Sequence, residues 1–393
     1  MKLIATDMMQ EINLRMESII NHMSKNGIGA ILVASGANIY YTTLRMFRGY
    51  VYIPLVGDPI WFVVKPNIFE KENHLIPIHK PEMIPGELEK LGYAIPENIG
   101  LEFDALSYSE ITRLKGLFPN SQICNGSVPL SQARMVKTDW EIDQIKQDAM
   151  HQSEVYRRVV HCYKENMTDL ELQIEIERVL RLEGCLGFTR TAGSMMDINM
   201  GSVIAGDNAD APSPFDFSMG GAGVCAALPV GANGTTLKPG ETVMVDMSGA
   251  FNGYQSDMTR VWRVGDIPEI AYKAHDCSIK ILRACENIGK PGIKVSDLYA
   301  IAEKIVAEEG LQDYFMGHSQ KAKFIGHGVG IELNELPVIT ARSKVILEKN
   351  MVMAIEPKFV IPEVGAVGIE NTYVVTSEGL QSLTIFPDEI QEL

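Results

Sequence analysis

Residues 243–260 read Val243-Met244-Val245-Asp246-Met247-Ser248-Gly249-Ala250-Phe251-Asn252-Gly253-Tyr254-Gln255-Ser256-Asp257-Met258-Thr259-Arg260. Asn252-Gly253, between two apolar runs, is typical of a two-residue hairpin turn. A turn at that point sets residue 246 opposite 259 and residue 248 opposite 257. Asp246 and Asp257 are then diagonal neighbours on one face of the hairpin, with backbones roughly 7–8 Å apart. The stretch therefore predicts two antiparallel strands that present two carboxylates to one cation.

Three further ionisable residues stand in apolar or glycine-rich strings. Glu356 follows the apolar residues 351–355, Glu370 follows 367–369, and His327 lies between two glycines. A carboxylate in an apolar setting is costly unless a cation compensates it, and flanking glycines leave an imidazole unobstructed. Each residue alone also has a structural interpretation, because acids occur at strand ends and in turns and a histidine is often simply packed.

Together these residues form a possible metal site. Four carboxylates and one imidazole are a mixed oxygen and nitrogen set that suits Mn²⁺, Fe²⁺, Co²⁺ or Zn²⁺. The carboxylates offer enough oxygen atoms for two ions, an arrangement used in metal-assisted hydrolysis. The spacing by itself does not establish that the five side chains converge.

Composition limits the possible partners. Of the 393 residues, 46% are hydrophobic and 22% are charged, as in a globular protein long enough for two domains. The formal charge of −15 disfavours nucleic acid and anionic membranes as partners. The sequence has no run of about 18 apolar residues and no signal-peptide core, so we expect a cytoplasmic protein. The six scattered cysteines favour reduced thiols over a disulfide or zinc framework.

The chain changes character near residue 136. Before it, a helix over 8–26 and short apolar strands predict a small α/β domain. After it, capping boxes at Thr138/Glu141 and Thr168/Glu171 predict helices over 139–164 and 169–183. Helices are also predicted over 268–288 and, with Ser296 as N-cap, 296–309, and strands over 352–360 and 368–376. The predicted fold class is α+β, with helices packed on an antiparallel sheet.

The order Asp, Asp, His, Glu, Glu with these local strings resembles the pita-bread family of creatinase, prolidase, Xaa-Pro aminopeptidase and methionine aminopeptidase. The match covers nearly the whole chain. Residues 38–43, Asn-Ile-Tyr-Tyr-Thr-Thr, are similar to the creatinase-type N-terminal domain, and Met135-Val136-Lys137 to its junction with the catalytic domain. The resemblance implies a creatinase-type α/β domain over 1–136 and a pita-bread catalytic domain over 137–393.

The same resemblance implies roles for particular residues. It makes Glu356 a catalytic residue that handles the proton of the attacking water. It also implies a homodimer that acts on a small peptide or another small molecule. Two divalent ions (Mn, Co, Zn or Fe) are implied, with the ligands Asp246, Asp257, His327, Glu356 and Glu370.

Three positions depart from the family pattern. Peptidase members have histidines where this chain has Asn334 and, on the strand upstream of the first aspartate, Val230. Prolidase-like members have an arginine where this chain has Gly368. Since losing one donor to the tetrahedral intermediate typically costs about 10²–10³ in rate, we expect weak proline-peptidase activity. His318 is a candidate compensating group, with an ordinary loop histidine as the alternative. The predicted substrate-binding residues are thus Asn334, His318 and Val230.

Three functions follow as alternatives. The first is a dinuclear metal hydrolase that cleaves an amide next to proline, which the five ligands favour. The second uses the same metal site on a non-peptide substrate, as a C–N hydrolase or lyase, which the missing histidines favour. The third is a catalytically silent binding protein, although such a role has no obvious need for clustered carboxylates that repel one another.

Overall fold

The computed structural model describes residues 6–66, 74–193, 198–215 and 219–393. The chain divides into two compact units, Met1–Arg134 and Met135–Leu393. In the described ranges, no helix combines the length and the apolar character needed to cross a membrane. All six cysteines are free thiols, and four of them are buried.

The N-terminal unit is built on one six-stranded mixed sheet. Its strand order is β4-β3-β2-β1-β5-β6, with β2 antiparallel to both of its neighbours and the other pairs parallel. The strands are β1 (Ala30–Val33), β2 (Arg48–Pro54), β3 (Ile60–Lys65), β4 (Leu75–Pro77), β5 (Asn98–Leu101) and β6 (Gln122–Asn125). The helices are α1 (Thr6–Lys25), α2 (Gly36–Thr43), α3 (Ile84–Lys90), α4 (Tyr108–Lys115) and α5 (Ser127–Met135), the last reaching the unit boundary. This is the small α/β arrangement that the sequence predicts.

Five helices belong to the C-terminal unit. They are α6 (Asp139–Tyr156), α7 (Val159–Cys162), α8 (Asp169–Glu183), α9 (Glu269–Ile288) and α10 (Val295–Glu309). Both predicted capping boxes are present, each with the threonine and glutamate in reciprocal hydrogen bonds.

Two predicted helix boundaries in this unit are wrong. The helix expected over 139–164 is interrupted at Arg157–Arg158 and continues only as the short α7, whose Val159 and Cys162 pack into the same core as Tyr156. Helix α10 begins before the predicted cap Ser296. Its N-cap is Lys294, and the Val295 N–H donates to the carbonyl of Val345 in a distant segment.

The strands of the C-terminal unit form two larger sheets and a hairpin. They are β7 (Gly201–Ala205), β8 (Thr242–Gly249), β9 (Ser256–Arg263), β10 (Gly326–Gly328), β11 (Glu335–Val338), β12 (Val352–Ile355), β13 (Lys358–Ile361), β14 (Gly365–Gly368), β15 (Asn371–Val375), β16 (Leu380–Ser382) and β17 (Gln391–Glu392). The sheet orders are β17-β9-β8-β7 and β11-β10-β12-β15-β16, and β13 pairs with β14. The strand expected over 368–376 is present as β15, although it begins only at Asn371. The single strand expected over 352–360 is wrong, because this range holds β12 and the start of β13. Proline has no N–H for a strand ladder, so Pro357 separates β12 from β13.

The β8–β9 hairpin has the predicted register. Asp246 opposes Thr259, and Ser248 opposes Asp257. The predicted two-residue turn is wrong, because the strands end at Gly249 and Ser256. The loop between them is held open by α6, where Asp148 Oδ1 accepts a bond from the Phe251 N–H. The register survives because the wider loop stays symmetric about the same centre.

Strand β8 lies between two hydrophobic cores. Val243, Val245 and Met247 pack into the core formed with α6, α7 and α8, whereas Met244 packs into the core formed with α9 and α10. Since alternate residues of a strand face opposite sides, Asp246 points to the same side as Met244. The arrangement of helices on antiparallel sheets confirms the α+β prediction, and it sets the acidic face of the hairpin toward β10 and β12–β15.

Candidate metal centre

The two aspartates are held by their neighbours on both sides of the sheet. From α6, Gln152 donates to the Met247 carbonyl and Tyr156 donates to the Met258 carbonyl, next to Asp246 and Asp257 respectively. On the other side, Thr372 Oγ1 accepts from the Asp257 N–H and donates to its carbonyl, both at 2.9 Å. The backbone that carries both carboxylates is therefore fixed by buried groups.

His327 lies at the centre of β10, which is enclosed by β11 and β12. A Cβ atom on Gly326 would lie 2.1 Å from the Ala354 carbonyl oxygen, and one on Gly328 would lie 2.1 Å from that of Leu336. The two glycines thus allow the backbones of β11 and β12 to come close to β10, as the flanking glycines suggest in the sequence. The imidazole Nε2 lies 3.7 Å from Asp257 Oδ2 and 3.6 Å from Glu356 Oε1.

The two glutamates come from the ends of strands. Glu356 follows β12, and its N–H donates to the Ile325 carbonyl at 2.8 Å. Glu370 lies between β14 and β15, where its Oε2 accepts a 2.7 Å bond from Thr259 Oγ1. The guanidinium of the buried Arg260 donates to the Glu370 carbonyl at 2.8 Å. The bonds from Thr259 and Arg260 join Glu370 to β9, which carries Asp257, whereas the bond of Glu356 joins it to the residue that precedes β10.

The five predicted ligands come together in two overlapping groups. Asp257, His327 and Glu370 form one group, and Asp246, Glu356 and Glu370 form the other; within each group the ligand atoms lie within 4.8 Å of one another. Glu370 belongs to both groups. Each group could hold a metal ion, and this convergence is what the spacing alone did not establish.

The electrostatics of the site also favour a cation. Burial raises the pKa of Asp257 well above its ordinary value, and repulsion from Glu370, Asp246 and Glu356 adds to this effect. Burial, followed by repulsion from Glu356, raises the pKa of Glu370 to about 8. Carboxylates that repel one another in a buried site are stabilised by a bound positive charge.

One buried oxygen atom marks where a cation fits. Glu370 is 1% exposed, and its Oε1 atom has no hydrogen-bond partner in the described structure. An unsatisfied buried carboxylate oxygen costs free energy, and a divalent ion bound by Asp257, His327 and Glu370 would satisfy it. The residues of this first group therefore fit one divalent ion.

The second group already contains a positive charge that the sequence analysis missed. Lys358 Nζ lies 2.8 Å from Asp246 Oδ2, 2.8 Å from Glu356 Oε2 and 3.2 Å from Glu370 Oε2. The available signal was a lysine followed by the apolar residues 359–361, because a charge in an apolar run needs a partner. Two metal ions are predicted, but in this structure the Lys358 ammonium lies among the ligand atoms of the second group.

Of the three predicted substrate-binding residues, Asn334 has a structural partner. Its Oδ1 accepts from the Ala192 N–H at 2.7 Å, and its Nδ2 donates to the Ala192 carbonyl at 3.0 Å. The amide therefore holds segment 188–193 against the loop that follows His327. The same contact is reinforced by the Leu333 N–H, which donates to the Arg190 carbonyl at 2.7 Å.

The other two candidates are placed in loops. His318 Nδ1 lies 3.1 Å from Asp210 Oδ2, and its ring stacks on Tyr314 with 6.2 Å between centroids. These contacts agree with the alternative of a loop histidine. Val230 lies outside the strands, where its N–H donates to the Leu228 carbonyl, so its expected place on a strand upstream of Asp246 is wrong.

Gly368, at the position where the resemblance implies an arginine, is closely surrounded by backbone. It opposes Lys358 in the β13–β14 hairpin and has a φ of +128°. A Cβ atom there would lie 2.5 Å from the Pro357 carbonyl oxygen and 2.9 Å from the Lys358 Cα. The backbone around Lys358 therefore leaves no room for a side chain at position 368.

Helices packed on antiparallel sheets, with four carboxylates and an imidazole close together at one buried point, are compatible with metal-assisted hydrolysis. The chain belongs to metallopeptidase family M24, whose profile matches residues 143–377. The profile of the creatinase/prolidase N-terminal domain matches residues 15–136. The expected pita-bread catalytic domain and creatinase-type N-terminal domain are thereby confirmed, and so is the assignment as a hydrolytic enzyme. The family uses divalent metal ions, and the carboxylate groups of the site are compatible with them.

Known proteins of this kind resemble the chain over nearly its full length. A Xaa-Pro dipeptidase of Pyrococcus furiosus is 27% identical over 373 residues, which are 94% of this chain and 97% of that protein. In structure, the chain is similar to a Xaa-Pro dipeptidase from Bacillus anthracis, with a TM-score of 0.79 at 23% identity, covering 97% of this chain and 100% of the other. It is also similar to an X-Pro aminopeptidase from Thermotoga maritima, with a TM-score of 0.77 at 20% identity, covering 95% and 100%.

Proposed function

We propose that this protein is a metal-dependent peptidase that cleaves the amide bond preceding proline in small Xaa-Pro peptides. The observation that carries the proposal is the convergence of Asp257, His327 and Glu370, with a buried Glu370 oxygen that lacks a partner. The substrate class, Xaa-Pro peptides, is taken from the similar proteins, which are Xaa-Pro dipeptidases and an X-Pro aminopeptidase. The intact set of ligands gives no support to a silent binding protein.

The proposal gives each acidic residue a task. Asp257, His327 and Glu370 would hold a divalent ion, which would supply a Lewis acid toward a carbonyl oxygen and toward water. Glu356 is 4% exposed and has its Oε2 bound by Lys358 and its Oε1 facing His327. An anchored carboxylate beside the reacting atoms suits the transfer of a proton from the attacking water to the leaving amine.

The substrate contacts differ from those of the peptidase pattern. Asn334 holds Ala192 in place of offering a histidine to the substrate, and Val230 lies in a loop. Fewer donors near the scissile bond reduce the stabilisation of a tetrahedral intermediate, so the expected turnover is slow. The homodimer, the cytoplasmic location and the identity of the metal stay predictions.

The proposal is tested by measuring proline release from a panel of Xaa-Pro dipeptides and longer Xaa-Pro peptides by Mn²⁺-loaded protein, with Xaa-Ala peptides as competitors. The Asp257→Ala variant should lose activity by at least about 10³-fold, because the site supplies several kcal/mol to the reaction. Asp266→Ala, which removes an exposed aspartate of the same unit, is the matched control and should retain activity. A metal-loaded protein that releases no proline would overturn the substrate assignment and favour a non-peptide C–N substrate.

A further inference from the structure

Lys358 is one of the most deeply buried charges in the C-terminal unit. Its side chain is 0% exposed and lies among carboxylates that could bind a metal ion. Lysine is almost never fully buried unless it is paired with an opposite charge. Here the pairing involves three carboxylates at once, those of Asp246, Glu356 and Glu370.

These three carboxylates are the second of the two groups that could hold an ion. The ammonium group therefore lies at the point where a second ion would have to bind. Neighbouring ions of a dinuclear centre are about 3.5–4 Å apart and each contacts its ligand oxygens directly. An ammonium 2.8 Å from both Asp246 Oδ2 and Glu356 Oε2 leaves no position for an ion that uses the same atoms.

The backbone of Lys358 is held in place on both sides. Its carbonyl accepts a 2.8 Å bond from the Met316 N–H, and across the hairpin it pairs with Gly368. The carbonyl of the preceding Pro357 accepts a 2.5 Å bond from Ser278 Oγ, which itself accepts from the Ile369 N–H. Since strand β13 is fixed by α9 and β14, the side chain has a defined starting point inside the site.

The contacts explain why the ammonium is stable there. Its Nζ lies within 3.2 Å of a carboxylate oxygen of each of Asp246, Glu356 and Glu370, so the buried positive charge is paired with three acidic groups. Asp257 and His327 belong to the other group of ligand atoms, which shares Glu370 with this one.

We propose that the Lys358 ammonium permanently takes the place of one of the two metal ions, so that this enzyme works with a single divalent ion held by Asp257, His327 and Glu370. The inference rests on the proposed metal-dependent function. Lys358 acts as a positioning residue, which orients Asp246 and Glu356 as a second ion would. Gly368 lies directly across the hairpin from Lys358, and a Cβ atom there would lie 2.9 Å from the Lys358 Cα.

Metal content tests this inference without any substrate. The chelator-stripped full chain is dialysed against excess Mn²⁺, desalted, and analysed for bound Mn by mass spectrometry and electron paramagnetic resonance. We expect one ion per wild-type chain, with the spectrum of an isolated Mn²⁺. The Lys358→Gly variant should bind two ions per chain and show the spectrum of a spin-coupled pair.

Two further variants guard against indirect effects. Lys358→Met removes the charge but retains bulk, so it provides a second measurement where Lys358→Gly fails to fold, and it should bind its first ion at least as tightly as wild type. Lys349→Met removes an exposed lysine and should leave one ion per chain. Circular dichroism establishes that each variant is folded.

The outcomes separate the inference from the proposed function. Two spin-coupled ions in the wild type would overturn the replacement of an ion by Lys358 and leave the peptidase proposal intact. One ion in both wild type and Lys358→Gly would also overturn it, because the ammonium would then not exclude the second ion. No bound metal in any variant would overturn the metal-dependent function itself.

Discussion

The ammonium of Lys137 lies 3.0 Å from Glu335 Oε2, and the two side chains are 1% and 5% exposed. The second oxygen of Glu335 accepts a 3.0 Å bond from the Glu332 N–H. The pair therefore joins the start of the C-terminal unit to the loop that follows His327. This loop also carries Asn334, so the buried ion pair and the bonds between Asn334 and Ala192 hold the same loop.

Loss of this ion pair should be costly. Replacing Lys137 by Met should lower the free energy of unfolding by about 3–5 kcal/mol, because a buried carboxylate loses its cation. The double variant Lys137→Met/Glu335→Gln should lose less than the sum of the two single changes. Urea unfolding followed by tryptophan fluorescence measures both, with the exposed Lys349→Met as control. A single variant as stable as wild type would show that the pair contributes nothing.

Asn334 should protect the segment that it holds. In Asn334→Ala the two bonds to Ala192 are lost, so trypsin should cleave after Arg190 several-fold faster than in wild type. Asn334→Asp retains an acceptor for the Ala192 N–H and should give an intermediate rate. Asn252→Ala removes a comparable bond, to the Gln144 carbonyl, and should not change cleavage at Arg190. Equal rates in wild type and Asn334→Ala would contradict the structural role of this side chain.

Asp148 should make stability depend on pH. Burial raises its pKa to about 7, although hydrogen bonds from Phe251 and Ser256 oppose the shift. The unfolded carboxyl group loses its proton near pH 4, whereas the folded one keeps it until about pH 7. Between these values the folded state binds more protons, so the stabilisation present below pH 4 is lost as the pH rises through 7.

The measurement compares metal-free wild type with Asp148→Asn. Since one pKa unit corresponds to about 1.4 kcal/mol, the stability of wild type relative to the variant should fall by at most about 4 kcal/mol from pH 4 to pH 7. Urea unfolding at intervals of one pH unit gives the profile. Asp143→Asn, on the exposed face of the same helix, is the control for loss of one carboxylate. A constant difference over this range would falsify the assignment.

Gly368 should resist substitution more than other glycines with positive φ. Gly368→Ala introduces both an unfavourable backbone conformation and the close contacts with Pro357 and Lys358. Gly292 has a φ of +93° but no atom within 4 Å of an added Cβ, so Gly292→Ala isolates the backbone cost of about 1–2 kcal/mol. We expect Gly368→Ala to be the more destabilised in thermal unfolding and to bind Mn²⁺ more weakly. An equal loss of thermal stability in the two variants would mean that β13 and β14 can separate enough to accept a Cβ atom at little cost.

Several elements were predictable because their determinants are local. The capping boxes at Thr138 and Thr168 place donor and acceptor three residues apart, and both are formed. At the start of α10, by contrast, the Val295 N–H donates to the Val345 carbonyl, a distant partner that no local pattern indicates. The break at Pro357 is the exception, because the missing N–H of proline is visible in the sequence.

By itself, the sequence determined the α+β class, the pairing of Asp246 with Thr259 and the common face of the two aspartates, because strand alternation and hairpin symmetry are properties of a short segment. Only the tertiary structure decided which charges meet. Lys358 reaches Asp246 across 112 positions of sequence, and Asn334 reaches Ala192 across 142. Such partners are brought together by the packing of separate strands and loops. A local sequence pattern depends only on neighbouring residues, so it does not indicate which distant side chains come into contact.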